Sequence, residues 1–195
     1  MQYLIFDNMT ECSEQEIARL LPLVSDQRRE QALRYKHLFG QYCCLKSYEM
    51  LTDLLASTSY KLDPRPTFIY NEHGAPSLSG GPYFSISHCK QGIAVAISDA
   101  PIGIDIEAIR PLSEGLVQKA MNPQEQAQIA AAANPEQEFI RLWTRKEAYV
   151  KMQGTGIISD MHKILCDMLP VNWMQVIRED KGYICTIVEK NEQNQ

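Results

Sequence analysis

The sequence predicts an α+β fold built from two similar lobes. Short stretches with the alternating pattern of strands and longer stretches with helical spacing follow each other along the chain. Both halves of the 195-residue sequence have the same order of strand, helices and then strands, and Asp99-Ala100-Pro101 interrupts the pattern near the midpoint. We therefore expect lobes over residues 1–99 and 100–195, related by pseudo-twofold symmetry, each with a small antiparallel sheet packed with helices.

The first half opens with a short predicted strand over residues 3–6. Ser13 followed by Glu16 forms a capping-box pattern, and the apolar residues after it recur at helical spacing, so we expect a helix from this point. Residues 71–76 are dense in turn formers and separate the later elements. The other predicted segments are helices over 28–35 and 40–55, a strand at 68–70, and an antiparallel strand pair over 83–88 and 92–98.

The second half begins with an alternating strand over residues 102–107. Two helices are predicted to start at Asn122 and Asn134, because each asparagine is an N-cap residue followed by proline at the first helical position. The second helix runs to about Gln153, where two glycines stop it. A final strand is expected over residues 183–188.

The composition is ordinary for a soluble globular protein, with 45% hydrophobic and 22% charged residues. The net charge of 19 − 24 = −5 argues against general nucleic-acid binding, which needs a basic surface. No apolar run has the length of a membrane span, and the N-terminus lacks the pattern of a signal peptide. The six cysteines form no C-x-x-C pair, so we expect no structural zinc and a reducing cytoplasmic location.

Two acidic residues stand out on the predicted strand over 102–107. Asp105 and Glu107 alternate with Ile104 and Ile106, so both carboxylates should project from one face while both isoleucines enter a core. Carboxylates one pleat apart can share a hard divalent cation such as Mg²⁺, which prefers oxygen ligands. The alternative interpretation is that this pattern is only the solvated face of a sheet.

A second candidate set lies on the predicted helix that ends near Gln153. Trp143, Glu147 and Lys151 are spaced at i, i+4 and i+8, so they share one helix face. If the tryptophan packs against the sheet, Glu147 comes toward the strand with Asp105 and Glu107, and Lys151 lies one turn further, where it could meet phosphate oxygens. The alternative is an ordinary surface Glu–Lys pair, which contributes only a few tenths of a kcal/mol.

Three segments together resemble the 4′-phosphopantetheinyl transferase superfamily, and more narrowly its monomeric, two-lobed class, which activates the carrier domains of peptide, polyketide and fatty-acid synthases. That class shows S-x-S-H, G-[IV]-D-x-E and W-x-x-K-E-[AS]-x-x-K in this order. The corresponding segments here are 84–88 (FSISH), 103–107 (GIDIE) and 143–151 (WTRKEAYVK). The similarity spans roughly residues 28 to 160.

The resemblance implies roles for individual residues. By position in the motifs, the Mg²⁺ ligands are Asp105, Glu107 and Glu147. The residues expected to contact coenzyme A, the co-substrate, are Arg28, Ser87, His88, Lys146 and Lys151. The implied catalytic residues are Asp105, Glu147 and Lys151, with Glu147 as the first candidate for the general base. The family's basic residues are replaced in three places, at Gln31, Gln41 and Ala75.

The implied function is the Mg²⁺-dependent transfer of 4′-phosphopantetheine from coenzyme A to a serine of an apo acyl or peptidyl carrier protein, with release of 3′,5′-ADP. The resemblance also implies a monomer, and a carrier-docking strip is expected within residues 110–125, which include Lys119 and Met121. Two alternatives stay open. One is a catalytically silent protein that binds coenzyme A or a carrier, and the other is a metal-dependent phosphohydrolase with water as the nucleophile.

Overall fold

The computed structural model describes residues 1–156, 160–164 and 171–191. The elements in chain order are β1 (Gln2–Phe6), α1 (Glu14–Leu20), α2 (Asp26–Leu33), α3 (Leu38–Ala56), β2 (Ile69–Tyr70), β3 (Pro76–Ser77), β4 (Tyr83–Cys89), β5 (Gly92–Ser98), β6 (Ile102–Ala108), α4 (Glu114–Ala120), α5 (Pro123–Ala131), α6 (Pro135–Gln153), β7 (Val171–Arg178) and β8 (Tyr183–Lys190). The predicted α+β class is confirmed. Helix α4 and strand β7 were not located by the sequence patterns.

Two small antiparallel sheets organise the described residues, with strand orders β1-β5-β4 and β6-β8-β7, while β2 and β3 form a separate hairpin. The two three-stranded sheets have the same strand order. In each, the strand that comes first in the sequence lies at one edge, the strand that comes last lies in the middle, and the remaining strand lies at the other edge. The expected pseudo-twofold rotation between the lobes and their boundary at residue 99 stay predictions.

The helix boundaries follow the predicted capping residues. Ser13, Asn122 and Asn134 each accept a hydrogen bond from the backbone N–H three residues later, at the start of α1, α5 and α6. Helix α6 ends at Gly154, which has a left-handed conformation with φ of 67°. None of the helices in the described residues combines the length and the apolar character that crossing a membrane requires.

An apolar core lies between the two sheets and fixes the face that β6 presents. Ile104 and Ile106 are fully buried in it, against alanines of β5 and residues of β8. The prediction that these isoleucines enter a core is therefore confirmed, and Asp105 and Glu107 project to the opposite face. That face is covered by α6.

Gly103 explains how closely α6 approaches β6. A Cβ atom at this position would lie 1.8 Å from the carbonyl oxygen of Ala148 and 2.6 Å from the amide nitrogen of Met152. Only glycine leaves room for the helix backbone there, and the small Ala148 is fully buried at the same contact. This contact brings one face of α6 directly over the acidic face of β6.

Serine side chains join the two sheets at the edge where β4 lies beside β6. The hydroxyl of Ser85 accepts from the backbone N–H of Ile104 (3.0 Å), and the hydroxyl of Ser87 accepts from the N–H of Ile106 (3.3 Å). The serines are two residues apart, as are the two N–H groups, so side-chain oxygens replace the carbonyls of a normal ladder. The S-x-S spacing is therefore part of the junction between the two sheets.

Candidate active site

Asp105 is the buried centre of the candidate site, with an exposed fraction of 3%. Its Oδ1 accepts from the hydroxyl of Ser87 (2.9 Å) and from the ammonium of Lys151 (2.7 Å). Its Oδ2 is also buried but has no hydrogen-bond partner among the described residues. One carboxylate oxygen is thus fully engaged, and the other keeps its capacity to bind a donor or a cation.

Glu107 and Glu147 complete an acidic cluster around Asp105. Glu147 lies on α6 and is only 8% exposed, so the structure does not turn it out to solvent. Burial raises the pKa of Glu147 and the charge of Asp105 raises it further, while Lys151 lowers it and Glu107 raises it again. Burial and then Asp105 likewise raise the pKa of Glu107. The three predicted carboxylates therefore lie within electrostatic reach of one another.

The chemistry of this cluster suits a divalent cation. Carboxylate oxygens are the donors that Mg²⁺ prefers, and the buried Oδ2 of Asp105 needs a partner. In the part of the chain that the structure describes, however, no three His, Cys, Asp or Glu side chains are drawn together closely enough to hold a metal ion. The donor set therefore fits the ion by charge and chemistry, and the metal-ligand roles of Asp105, Glu107 and Glu147 stay predictions.

Trp143 lies beside this cluster on the same helix face. Its ring stacks on Phe139 with centroids 6.0 Å apart, and its indole nitrogen is buried without a hydrogen-bond partner in the described residues. The indole N–H lies near Glu107, where it partly offsets the effect of burial on the pKa of that carboxyl. The tryptophan therefore both packs the helix and directs a donor toward the acidic cluster.

A cavity of about 510 Å³ opens beside Glu147 and Lys151. Phe84, Ile86 and Val150 give it apolar walls, and the turn over residues 73–76 forms one rim. The cavity therefore combines an apolar surface with a carboxylate and an ammonium group.

Asn71 fixes the position of that turn. Its amide donates to the carbonyl of Gly154 at the end of α6 (2.9 Å), and its carbonyl oxygen accepts from the N–H groups of His73 and Ala75. From the sequence, Asn71 is predicted only as part of a turn, because a hydrogen bond to a residue 83 positions away leaves no local signal.

Basic groups lie at the other side of Lys151. Partial burial lowers the pKa of His88, and the positive charges of Lys151 and Arg28 lower it further. Arg28 is buried and donates to Cys44 O, Gln31 Oε1 and Ser47 Oγ, and no carboxylate pairs with it among the described residues. Lys151 and Arg28 therefore both lie within electrostatic reach of His88, and the buried charge of Arg28 is bonded only to neutral acceptors.

Two predicted contact residues need correction, one for coenzyme A and one for the carrier protein. Lys146 is fully buried on the opposite side of α6, where its ammonium donates to Glu125, to the carbonyl of Ala120 and to the carbonyl of Met161. It has no exposed surface for a ligand, so its role is structural. Met121, predicted within the docking strip, is 1% exposed in the core and cannot contact a partner, whereas Lys119 is exposed.

Ser87 also has a role beyond the predicted one. Its hydroxyl accepts from Lys151 Nζ (2.8 Å) and from the N–H of Ile106, and it donates to Asp105. The hydroxyl hydrogen and both lone pairs are therefore used. The structure gives Ser87 a positioning role toward Asp105 and Lys151, and its contact with coenzyme A stays a prediction.

Comparisons with known proteins show which proteins this chain resembles. The family model of the 4′-phosphopantetheinyl transferase superfamily matches residues 101–192. A 4′-phosphopantetheinyl transferase of Bacillus subtilis is 30% identical over 172 residues, which is 85% of this chain and 71% of the relative. The transferase Sfp of Bacillus subtilis (strain 168) is 30% identical over 150 residues, which is 74% of this chain and 66% of the relative.

A second kind of relative matches a shorter region. The 4′-phosphopantetheinyl transferase AcpT of Salmonella typhimurium is 40% identical over 104 residues, which is 49% of this chain and 54% of the relative. Among solved structures, the holo-[acyl-carrier-protein] synthase of Thermotoga maritima superposes with a TM-score of 0.34 and 14% identity over 47% of this chain and 64% of its own, a similarity too low to add support. On the sequence relatives, the chain belongs to the 4′-phosphopantetheinyl transferase superfamily and is a transferase of that class.

Proposed function

We propose that this chain transfers the 4′-phosphopantetheine group of coenzyme A to a serine of an apo acyl or peptidyl carrier protein, with Mg²⁺ as cofactor. The single observation that carries the proposal is the wall of the cavity, where Lys151 binds the buried Asp105 and Glu147 lies within electrostatic reach of it. Family membership supports the reaction class. The relatives' names describe the transfer, and the particular substrates are inferred for this chain.

The reaction forms a bond between the carrier serine oxygen and the β-phosphorus of coenzyme A and breaks the bond from that phosphorus to the bridging oxygen. 3′,5′-ADP leaves with the bridging oxygen, and the serine proton must pass to a base. Glu147 is the proposed base, because its carboxylate lines the cavity beside Lys151, where the serine hydroxyl would enter.

Asp105, Glu107 and Glu147 would hold the Mg²⁺ ion. When bound, the ion supplies Lewis-acid polarisation of the diphosphate and neutralises charge on the leaving group. Lys151 adds positive charge at the same place, since its ammonium lies at the cavity and has a third N–H beyond the two that bind Ser87 and Asp105. This third N–H is the proposed donor to a phosphate oxygen.

Arg28 and His88 are proposed to contact a phosphate group of coenzyme A. Arg28 would supply the positive charge, and a ring N–H of His88 would donate a hydrogen bond to the same phosphate. The apolar walls formed by Phe84, Ile86 and Val150 suit the uncharged parts of the ligand. The cavity therefore offers both charged and apolar surface to a molecule that has both.

An intact-mass assay tests the proposal. Purified protein is incubated with coenzyme A, Mg²⁺ and a panel of apo-carrier proteins, and each carrier is weighed before and after. We expect the addition of one phosphopantetheine to a carrier, no addition to the same carrier with its acceptor serine replaced by alanine, and release of 3′,5′-ADP. Binding of coenzyme A without modification of any carrier would indicate the silent binder, and cleavage of coenzyme A without a carrier product would indicate a hydrolase.

A further inference from the structure

The two oxygens of the Asp105 carboxylate have different surroundings. Oδ1 accepts two hydrogen bonds, from Ser87 and from Lys151, and Oδ2 is buried with no partner in the residues that the structure describes. Ser87 is itself fixed by the N–H of Ile106, so the arrangement at Oδ1 is tied to the backbone of β6. The carboxylate therefore presents one saturated oxygen and one available oxygen.

Lys151 connects the saturated oxygen to the cavity. Its side chain is 31% exposed, and its ammonium lies 2.7 Å from Oδ1 and 2.8 Å from the hydroxyl of Ser87. Burial and then the charge of Asp105 raise the pKa of both Glu107 and Glu147, and the positive charge of Lys151 lowers the pKa of both. The lysine therefore reduces the repulsion among the three carboxylates. The lysine is thus already part of the acidic cluster before it meets any substrate.

We propose that Lys151 stays on Oδ1 of Asp105 while a divalent cation binds at Oδ2, so that the lysine sets how tightly the protein holds the cation. This inference rests on the proposed function, because it takes the acidic cluster as the cation site. A unit charge a few ångströms from a divalent ion weakens its binding by roughly tenfold even at a dielectric constant close to that of water. In return, the positive charge of Lys151 keeps the three carboxylates together when no ion is bound.

The affinity for Mn²⁺ tests this inference without any need for activity. Free Mn²⁺ is followed by electron paramagnetic resonance during titration of the wild type, Lys151→Met and Lys151→Gln, with Lys163→Met as the control. Lys163 is an exposed lysine that pairs with Asp160 on the surface. We expect both Lys151 variants to bind Mn²⁺ roughly tenfold more tightly than the wild type, and the control to bind it equally.

The direction of the change separates this role from the simpler ones. A lysine that only stabilises the fold would weaken Mn²⁺ binding when lost, and one that only contacts phosphate would leave it unchanged. Thermal unfolding of each variant reports whether it folds, and Lys151→Gln carries the test if Lys151→Met does not, because it keeps an N–H donor for Oδ1.

Three outcomes would overturn the inference. A Mn²⁺ affinity of both variants within twofold of the wild type would do so while leaving the proposed transfer intact. Mn²⁺ found by anomalous scattering on Oδ1, with the ammonium displaced, would do so as well. If the wild type binds no Mn²⁺ at millimolar concentration and transfers phosphopantetheine without metal, the cation site itself is wrong, and the inference fails together with it.

Discussion

Helix α6 makes two ion pairs between a lysine and a buried carboxylate, and the pairs are alike in chemistry but different in use. Lys146 binds Glu125 with an N–O distance of 2.6 Å, and Lys151 binds Asp105 at 2.7 Å. In both pairs one carboxylate oxygen accepts two hydrogen bonds, and the other is buried with no partner among the described residues. An unpartnered carboxylate oxygen is therefore not by itself the mark of a functional site.

The two pairs differ in the lysine and in the neighbours. Lys146 is fully buried and its three N–H groups have three acceptors, so the pair closes on itself. Lys151 has two acceptors among the described residues and lies at a cavity, and its partner Asp105 is within electrostatic reach of Glu107 and Glu147. The comparison indicates that unused bonding capacity becomes functional only where it faces a cavity and further charges of the same sign.

The largest expected effect on stability is that of Lys146→Met. The change leaves Glu125 buried without its cation, and breaking a buried pair in this way costs roughly 3–5 kcal/mol. Urea denaturation measures the loss. In the double variant with Glu125→Met, much of the stability should return, since an apolar pair replaces the ionic one. A loss below about 1 kcal/mol would contradict the structural role assigned to this lysine.

Glu147→Gln should have the largest effect on transfer. The amide keeps the shape of the side chain but cannot accept the serine proton, so we expect the rate to fall by roughly 10²–10⁴. The rate of carrier modification by intact mass checks this, and Glu14→Gln, an exposed change in the first turn of α1, serves as the matched control. Near-normal transfer by the Glu147 variant would remove this residue from the mechanism.

Gly103→Ala tests whether close packing of α6 on β6 assembles the site. The new Cβ would overlap the carbonyl of Ala148, so the helix must move away. We expect the free energy of unfolding to fall by roughly 1–3 kcal/mol or more. Transfer should fall more than stability alone explains, because Glu147 and Lys151 move with the helix. Gly115→Ala is the control: its Cβ would meet nothing within 4 Å, so stability should hold or rise slightly. Equal stability of both variants would refute the packing argument.

Much of this arrangement could be predicted from the sequence, because it depends on local periodicity. Alternation along β6 placed Asp105 and Glu107 on one face, and the i, i+4 spacing placed Glu147 and Lys151 on one face of α6. Lys146 and Lys151 are five residues apart, about 140° around a helix, so they had to point in different directions. Which of the two would face the cavity depends on how the helix packs, and the sequence does not state that.

The role of Ser87 could not be predicted for a related reason. Its partners Asp105 and Lys151 are 18 and 64 residues away, and the contact exists only because β4 lies beside β6. Met121 was misjudged as a surface residue because a methionine near a helix end carries no sign of its burial. Contacts between distant segments are decided by tertiary packing, so their residues give no periodic signal.

The smallest expected effect is the pH dependence of stability that Glu147 contributes. Its pKa in the folded protein is raised above the ordinary value of 4.5, so the folded state binds this proton more tightly than the unfolded state. The favourable contribution is complete below pH 4.5 and is lost as the pH rises through the folded pKa. Glu147→Gln cannot ionise, so its stability relative to the wild type should rise across this range. Urea denaturation from pH 4 to 8 in the presence of a chelator measures the difference.

A difference that stays constant with pH would show that the buried carboxyl is not held away from its ionised form. The distinction between the closed pair of Lys146 and the strained acidic cluster at Asp105 would then lose its electrostatic basis.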